Sequence, residues 1–180
     1  MSEVRYTSCM SFELIIMHEI QRWLSHPWGQ IFVVICARWL IFVLPLLILV
    51  AWRWGNLSRH ALVEIMWSTL LASILVFGAE IIIGRTRPFL VDPSLAVLVP
   101  RPHTMSFPSA HASIAYALAF MTLHWSMRVG IGAVLLADLV AFGRIAAGVH
   151  YPTDVLAGIL VALVAFAVVR FGHGWTRAVR

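Results

Sequence analysis

The sequence predicts an all-α integral membrane protein: a helical bundle with an N-terminal interfacial amphipathic helix and about five transmembrane helices. Three observations predict it. The 180 residues are 61% hydrophobic with a mean hydropathy of +0.90, beyond the range of ordinary soluble domains. Apolar stretches recur that reach the roughly 20 residues a helix needs to cross a hydrocarbon core. Only 12% of residues are charged, so each charge within a span needs a reason to be there. One membrane-embedded domain over residues 1–180 is the simplest organisation.

The elements follow from periodicity. Ser11 to Leu24 sets Phe12, Ile15, Ile16, Ile20 and Trp23 on one helical face and Glu13, His18, Glu19 and Arg22 largely on the other. That stretch is too short and too charged to span, so an amphipathic helix lying in the interface is expected over 11–24. It does not read as a signal peptide, since basic first residues and a small-residue cleavage site are both missing. His26-Pro27 ends it. A transmembrane core over 30–171 follows, with spans at Gln30–Trp52, His60–Ile83, Ser109–Trp125, Arg128–Val149 and Pro152–Phe171. The connections are short except for Gly84 to Pro108, a Pro-rich apolar loop of a length that usually serves function. The eight Trp cluster at span ends as interfacial anchors.

Alternation of the spans puts the second-to-third and fourth-to-fifth connections on one face. The opposite face carries Arg53, Arg59, Arg128, Arg170, Arg177 and Arg180. The positive-inside rule makes that second face cytoplasmic. The N-terminal segment, with Arg5 and Arg22 against Glu3, Glu13 and Glu19, fits the outer side. The protein is thus expected to be multi-pass in the inner (plasma) membrane, its functional face periplasmic or outer.

The chain has thirteen basic residues, all Arg, and a formal net charge of +5. The arginines are scattered rather than set on a basic face interleaved with aromatics, which argues against nucleic acid as a partner. Cys9 and Cys36 show no metal-ligand spacing and no neighbourhood that suggests a nucleophile.

Three segments on the outer face carry the chemistry. Arg85-Thr86-Arg87-Pro88 ends the second span, and two arginines there can clamp a phosphate through charge-assisted hydrogen bonds. Pro108-Ser109-Ala110-His111 opens the third span. Ser109 is a candidate N-cap, the first-turn amides are a ready anion site, and Ala110 is small enough to let an oxygen approach the backbone. His111 could donate a proton to a leaving oxygen. In the last segment Arg144 ends the fourth span, His150 lies in the turn, Pro152 suits the first helical position, and Asp154 falls in the first turn of the fifth span. Asp154 is expected to accept the Nδ1–H of His150, leaving Nε2 as a nucleophile towards phosphorus. Each segment alone has a blander reading: interfacial anchoring, a helix cap, a structural hydrogen bond. Together they suggest phosphoryl transfer on a lipid.

The three segments resemble the signature of the type 2 phosphatidic-acid phosphatase superfamily, which is related to the vanadium haloperoxidases. The family pattern is Lys-x6-Arg-Pro, Pro-Ser-Gly-His and Ser-Arg-x5-His-x3-Asp. Arg87-Pro88, then Pro108, Ser109 and His111, then Arg144, His150 and Asp154 match it. The short chain and the amphipathic helix before five spans resemble the bacterial undecaprenyl-diphosphatase branch. The resemblance implies His150 as the nucleophile of a phosphohistidine, Asp154 as its orienting partner, and His111 as the proton donor and later the activator of water. Arg87, Arg144, Ser109 and the Ala110 region would hold the phosphoryl oxygens; outside the resemblance, Arg85 is expected to supply the positive charge missing where Glu80 replaces the motif Lys. No metal or other cofactor is implied, and membrane lipids are the surroundings. The expected reaction is hydrolysis of a lipid phosphate or diphosphate, with undecaprenyl diphosphate the best single substrate. A lipid phosphotransferase or a non-catalytic lipid-phosphate binding protein are the alternatives.

Three positions depart from the pattern. Ala110 replaces Gly, Gly143 replaces Ser, and Glu80 stands where the first motif has Lys. Glu80 lies about two helical turns before Arg87, on the same face. It is expected to pair with Arg38 of the first span or to brace Arg85 or Arg87. Arg38, set in an apolar stretch, should itself be buried and need a partner, with Asp138 and Glu64 as the competing candidates. Arg101 and His103 of the long loop are further candidates for a second phosphate or headgroup.

Overall fold

The computed structural model describes residues 12–178, with side chains through residue 172. Glu3, Arg5, Cys9, Ser11 and Arg180 lie outside the described residues, and Arg177 beyond the described side chains. The elements are α1 (Phe12–Trp23), α2 (Pro27–Val34), a π-helical turn (Ile35–Trp39), α3 (Leu40–Arg53), α4 (Arg59–Ile83), the short α5 (Pro88–Val91), α6 (Ala110–Trp125), α7 (Met127–Ala146) and α8 (Pro152–Ala178). Their boundaries follow local chemistry. His26 Nδ1 accepts the Gly29 amide at the start of α2, and Ser58 Oγ accepts the Ala61 amide at the start of α4. Gly84, with φ of +59°, closes α4 in the left-handed conformation that glycine adopts at no steric cost. Tyr151 precedes Pro152 at the first position of α8, and Asp154 reaches back to accept the Tyr151 amide at 2.9 Å. That is the back-reaching half of a capping box.

Among the described residues four helices are long and apolar enough to cross a membrane, at Pro27–Arg53, Arg59–Val91, Met127–Ala146 and Pro152–Gly172. The remaining expected span, α6, has 16 residues, about 24 Å of helix. It is the centre of the bundle, packed against α4, α7 and α8. Its neighbours screen it from lipid, so length matters less for α6 than for the outer helices.

The bundle is built inside out relative to a soluble protein. Ala112, Ala115, Ala117, Ala119, Ala133 and Ala137 are fully buried, whereas Phe42, Phe77, Ile82 and Leu160 face outward. Within lipid, burying large apolar side chains against one another gains little. Helices therefore associate through small residues that let backbones approach. Gly158 of α8 shows this: a Cβ there would lie 2.8 Å from the Ser109 carbonyl oxygen.

Gly143 is another such contact, and it explains one departure from the family pattern. A Cβ at Gly143 would sit 2.5 Å from the Ala37 nitrogen and 2.7 Å from the Cys36 carbonyl carbon. The backbone of the π turn is pressed onto α7 at this residue, so the serine of the pattern has no room. Gly143→Ser is expected to destabilise the protein by about 1–3 kcal/mol, the usual range for overpacking. Thermal unfolding in detergent checks this; a variant as stable as the parent would show that the π turn yields freely.

α1 lies against the loops at the end of the bundle that carries the three segments. Leu14 and Met17 are buried beneath it, while Phe12, Ile15 and Trp23 stay exposed. The polar face divides. Glu19 and Arg22 pair with each other in solvent, but other polar residues dock onto the protein. His18 meets Asp92 at 2.8 Å, and Gln21 bonds both the amide and the carbonyl of Ala96. Glu13 bonds Thr153 and Arg85.

Candidate active site

The connections at one end of the bundle bring the three segments together around one cavity of about 520 Å³. Arg87, Ala110, His111, Arg144 and His150 line it, as do Arg38, Glu80 and Arg101. Arg144 arrives on the last turn of α7. The chain then reverses through Gly148, whose φ of +77° permits the turn, and presents His150 just before α8. His111 arrives on the first turn of α6.

His150 is 3% exposed, and its partners fix its protonation. Nδ1 lies 2.8 Å from the Ser106 carbonyl oxygen. A carbonyl only accepts, so Nδ1 carries the proton and Nε2 keeps its lone pair. Nε2 faces the Arg87 guanidinium at 3.3 Å. Burial pushes the ring pKa down to about 4; Asp154 opposes the fall, and Arg144 and Arg87 add to it. At neutral pH the imidazole is uncharged, with Nε2 available to an electrophile.

The expected Asp154 to Nδ1 hydrogen bond is therefore corrected. Asp154 Oδ2 stands 3.7 Å from Nδ1, outside hydrogen-bond range, and accepts the Tyr151 amide instead. Asp154 Oδ1 accepts from Arg85 at 2.7 Å. The carboxylate, fully buried, faces the imidazole as a charge, while the Ser106 carbonyl sets its tautomer. Ser106 is in turn pinned by its amide to the Arg85 carbonyl at 2.9 Å. A main-chain acceptor has no residue-type signal, which is why the sequence did not reveal it.

Arg85 is the second correction. It does not line the cavity. Its guanidinium bonds Asp154, Thr153 and Glu13, each at 2.7 Å, and stacks on the Tyr151 ring at 3.9 Å. Two carboxylates capture it, so it cannot serve a phosphate as a free clamp. Burial raises the Glu13 carboxyl pKa, but hydrogen bonds from Thr153 and Arg85 outweigh this and hold it below the usual carboxylate range. Glu13 was missed because an acid on the polar face of an amphipathic helix reads as solvated.

The other two arginines are built differently. Arg87 is 4% exposed and gives its donors to neutral acceptors: Nε to the Thr104 carbonyl, one terminal nitrogen to Thr104 Oγ1 and the other to the Val149 carbonyl. Arg144 is 5% exposed and bonds the Ala37 carbonyl at 3.1 Å, while its Nε is buried without a partner. Neither is in an ion pair with a carboxylate among the described residues. Two buried guanidinium groups side by side are costly, and Glu80, which lines the same cavity, pairs with neither within 4 Å. An anion entering the cavity relieves that cost.

Ser109 is the residue before α6, as expected, but its hydroxyl makes no cap; Oγ is buried without a partner and off the cavity. Its backbone instead ties α6 to α8 through the Asp154 carbonyl at 2.9 Å. Ala110 does line the cavity.

Arg38 and its proposed partners are also corrected. Arg38 is exposed to the cavity rather than buried, stacked on Trp39 at 5.4 Å. Asp138 accepts from the Tyr116 hydroxyl, and Glu64 accepts from Trp125 and faces His60 at the far end of the bundle. Glu80 shares the cavity with Arg38 and Arg87, yet no ion pair within 4 Å joins it to an arginine among the described residues. Nor, among the described residues, do three His, Cys, Asp or Glu side chains gather as a metal site would require.

Residues 61–177 match the PAP2 superfamily. The chain belongs to the PAP2 superfamily. This PAP2 protein is 33% identical over 145 residues to YbjG of Escherichia coli, covering 78% of this chain and 71% of that one. It is 29% identical over 132 residues to the undecaprenyl-diphosphatase BcrC of Bacillus subtilis, covering 73% and 68%. The crystal structure of Aquifex aeolicus LpxE has the same fold, with a TM-score of 0.72 at 24% identity, covering 88% of this chain and 94% of the other. The PAP2 protein is a membrane lipid phosphatase.

Proposed function

We propose that the protein hydrolyses a lipid diphosphate at the outer membrane face through a phosphohistidine, with undecaprenyl diphosphate as the substrate. The observation that carries this reading is the pair of buried arginines, outside any ion pair among the described residues, beside the unprotonated Nε2 of His150. They match a phosphoryl group undergoing attack. The identity to undecaprenyl-diphosphatase BcrC supports the substrate.

In the proposed reaction the Nε2 lone pair attacks phosphorus and the bond to the leaving oxygen breaks. His111, entering the step protonated with substrate bound, gives that oxygen its proton and is left neutral. Water then attacks phosphorus, His111 takes the water's proton, and the P–N bond breaks to release phosphate and restore His150. Arg87, Arg144 and the first-turn amides at Ala110 hold the non-bridging oxygens, where charge develops. Asp154 offsets the positive charge that His150 acquires in the covalent state. The donor set calls for no metal. Arg53, Arg59 and Arg170 at the opposite end of the bundle support an outer-facing site by the positive-inside rule.

Phosphate release in detergent tests this directly, with undecaprenyl diphosphate, phosphatidylglycerol phosphate and phosphatidate compared in the presence of EDTA. Release is expected from all classes that fit, fastest from undecaprenyl diphosphate and unchanged by EDTA. EDTA-sensitive release would overturn the metal-free route, and a faster phosphomonoester would replace the substrate.

A further inference from the structure

The arginines of the cavity fall into two pairs. Arg87 and Arg144 are buried at its inner end beside His150, Arg87 bonding main-chain carbonyls and Thr104 and Arg144 bonding the Ala37 carbonyl with its Nε left unpartnered. Arg38 and Arg101 line the same cavity but are exposed. Each rests on an aromatic ring, Arg38 on Trp39 at 5.4 Å and Arg101 on Phe89 at 5.7 Å, and neither is in an ion pair among the described residues. One phosphoryl group is served by the inner pair. The outer pair is left over, and so is its charge: four guanidinium groups face the single carboxylate of Glu80.

Arg38 is held there by the backbone. The π turn that carries it is pressed onto Gly143, and Arg144 donates to the carbonyl of the neighbouring Ala37. The inner and outer guanidinium groups are thus registered through adjoining main chain. Single π turns inside helices recur at functional sites, and this one turns Arg38 into the cavity from an otherwise lipid-facing span. The same two segments continue outward as an apolar groove, lined by Ile31, Val34, Ile35, Trp39, Val97 and Leu98. The loop residues Val99, Pro100 and Arg101 that follow line the cavity itself. An apolar tail laid in the groove reaches the cavity at Arg38 and Arg101.

We propose that Arg38 and Arg101 form a second anion subsite that takes the lipid-proximal phosphate of a lipid diphosphate, while the terminal phosphoryl group sits at His150. Arg38 thereby restores from the first span the cavity charge that Glu80 removes from the family pattern. This rests on the reading of the cavity as the phosphatase site. In the balanced step Nε2 bonds to the terminal phosphorus and the bond from that phosphorus to the bridging oxygen breaks. The bridging oxygen keeps the electron pair and leaves as part of the lipid monophosphate, whose charge Arg38 and Arg101 offset. Water then releases the terminal group as inorganic phosphate.

The test compares kcat/KM for a prenyl diphosphate and the matching prenyl monophosphate in the parent, Arg38→Gln and Arg101→Gln. The diphosphate-to-monophosphate ratio is expected to fall about ten- to a hundredfold in each variant, the worth of one charge-assisted hydrogen bond. An unchanged ratio, with both substrates falling together or neither falling, overturns the subsite. A second measurement is independent of turnover. Calorimetric binding of inorganic pyrophosphate to His150→Ala protein should exceed that of inorganic phosphate, and the excess should disappear in His150→Ala/Arg38→Gln. Equal binding of the two anions overturns the subsite as well. Should the parent release no phosphate from any lipid, the proposed reaction fails, while the pyrophosphate measurement still decides the subsite.

Discussion

Phosphate release is expected to fall by at least about 10⁴-fold in His150→Ala, because the proposed covalent intermediate then has no group to form on. The geometry makes this the largest effect expected. His150 is buried, its Nδ1 proton is committed to the Ser106 carbonyl, and its Nε2 lone pair, facing the Arg87 guanidinium at 3.3 Å, is the proposed nucleophile. Two accompanying readouts separate loss of chemistry from loss of fold. Acid-labile phosphoenzyme trapped from a labelled substrate should disappear, while thermal unfolding in detergent should still be cooperative. The pH dependence carries the same signature. Burial, Arg144 and Arg87 hold the ring neutral down to about pH 4, against the opposing charge of Asp154. Protonation removes the lone pair, so the acid limb that His150 imposes on kcat/KM lies near 4 rather than near the ordinary value of 6.5. Trapped phosphoenzyme surviving in His150→Ala would move the nucleophile elsewhere.

Arg87→Ala is expected to lower kcat/KM about 10³-fold, and Arg87→Lys to recover only a small part of it. The alanine variant loses charge where the transition state gathers it, a loss worth about 10²–10³ for a single donor in comparable sites. It also loses a brace. The guanidinium fork spans the Thr104 carbonyl and hydroxyl, the Val149 carbonyl and the Nε2 side of His150. A lysine ammonium returns the charge but cannot hold these groups in one plane. The effect should fall on kcat as well as KM, because the brace positions the residue before His150. Full recovery in Arg87→Lys would show that charge alone is needed there.

Residue type and spacing made much of this site legible. The interval from Arg144 to His150 to Asp154 follows from a helix end, a glycine turn and a helix start, all local in sequence. Local rules read such features well. Arg85 and Arg87 show where that reading stops. Two residues apart at one helix end, they look equivalent in the sequence, yet one faces the cavity and the other is held by Glu13 and Asp154. Which is which depends on α1, whose placement against the loops around the site is a tertiary contact. Glu13 gave no sign of this role, since its partners lie far along the chain. The Ser106 carbonyl gave none either, because every residue has a carbonyl and only the packed loop selects this one.

By itself the sequence determined that the chain crosses a membrane as helices and that the three segments share one face, and it pointed to phosphoryl transfer as their chemistry. Hydropathy, helical period and motif spacing are properties of neighbours along the chain, and they suffice for that. The tertiary structure alone decided how the charges are used. It left Arg87 and Arg144 buried outside any ion pair among the described residues, took Arg85 out of the cavity, and turned Arg38 into it through a π turn seated on Gly143. The strength of a charge depends on burial and on what stands within a few ångströms, and both are fixed only when distant segments pack.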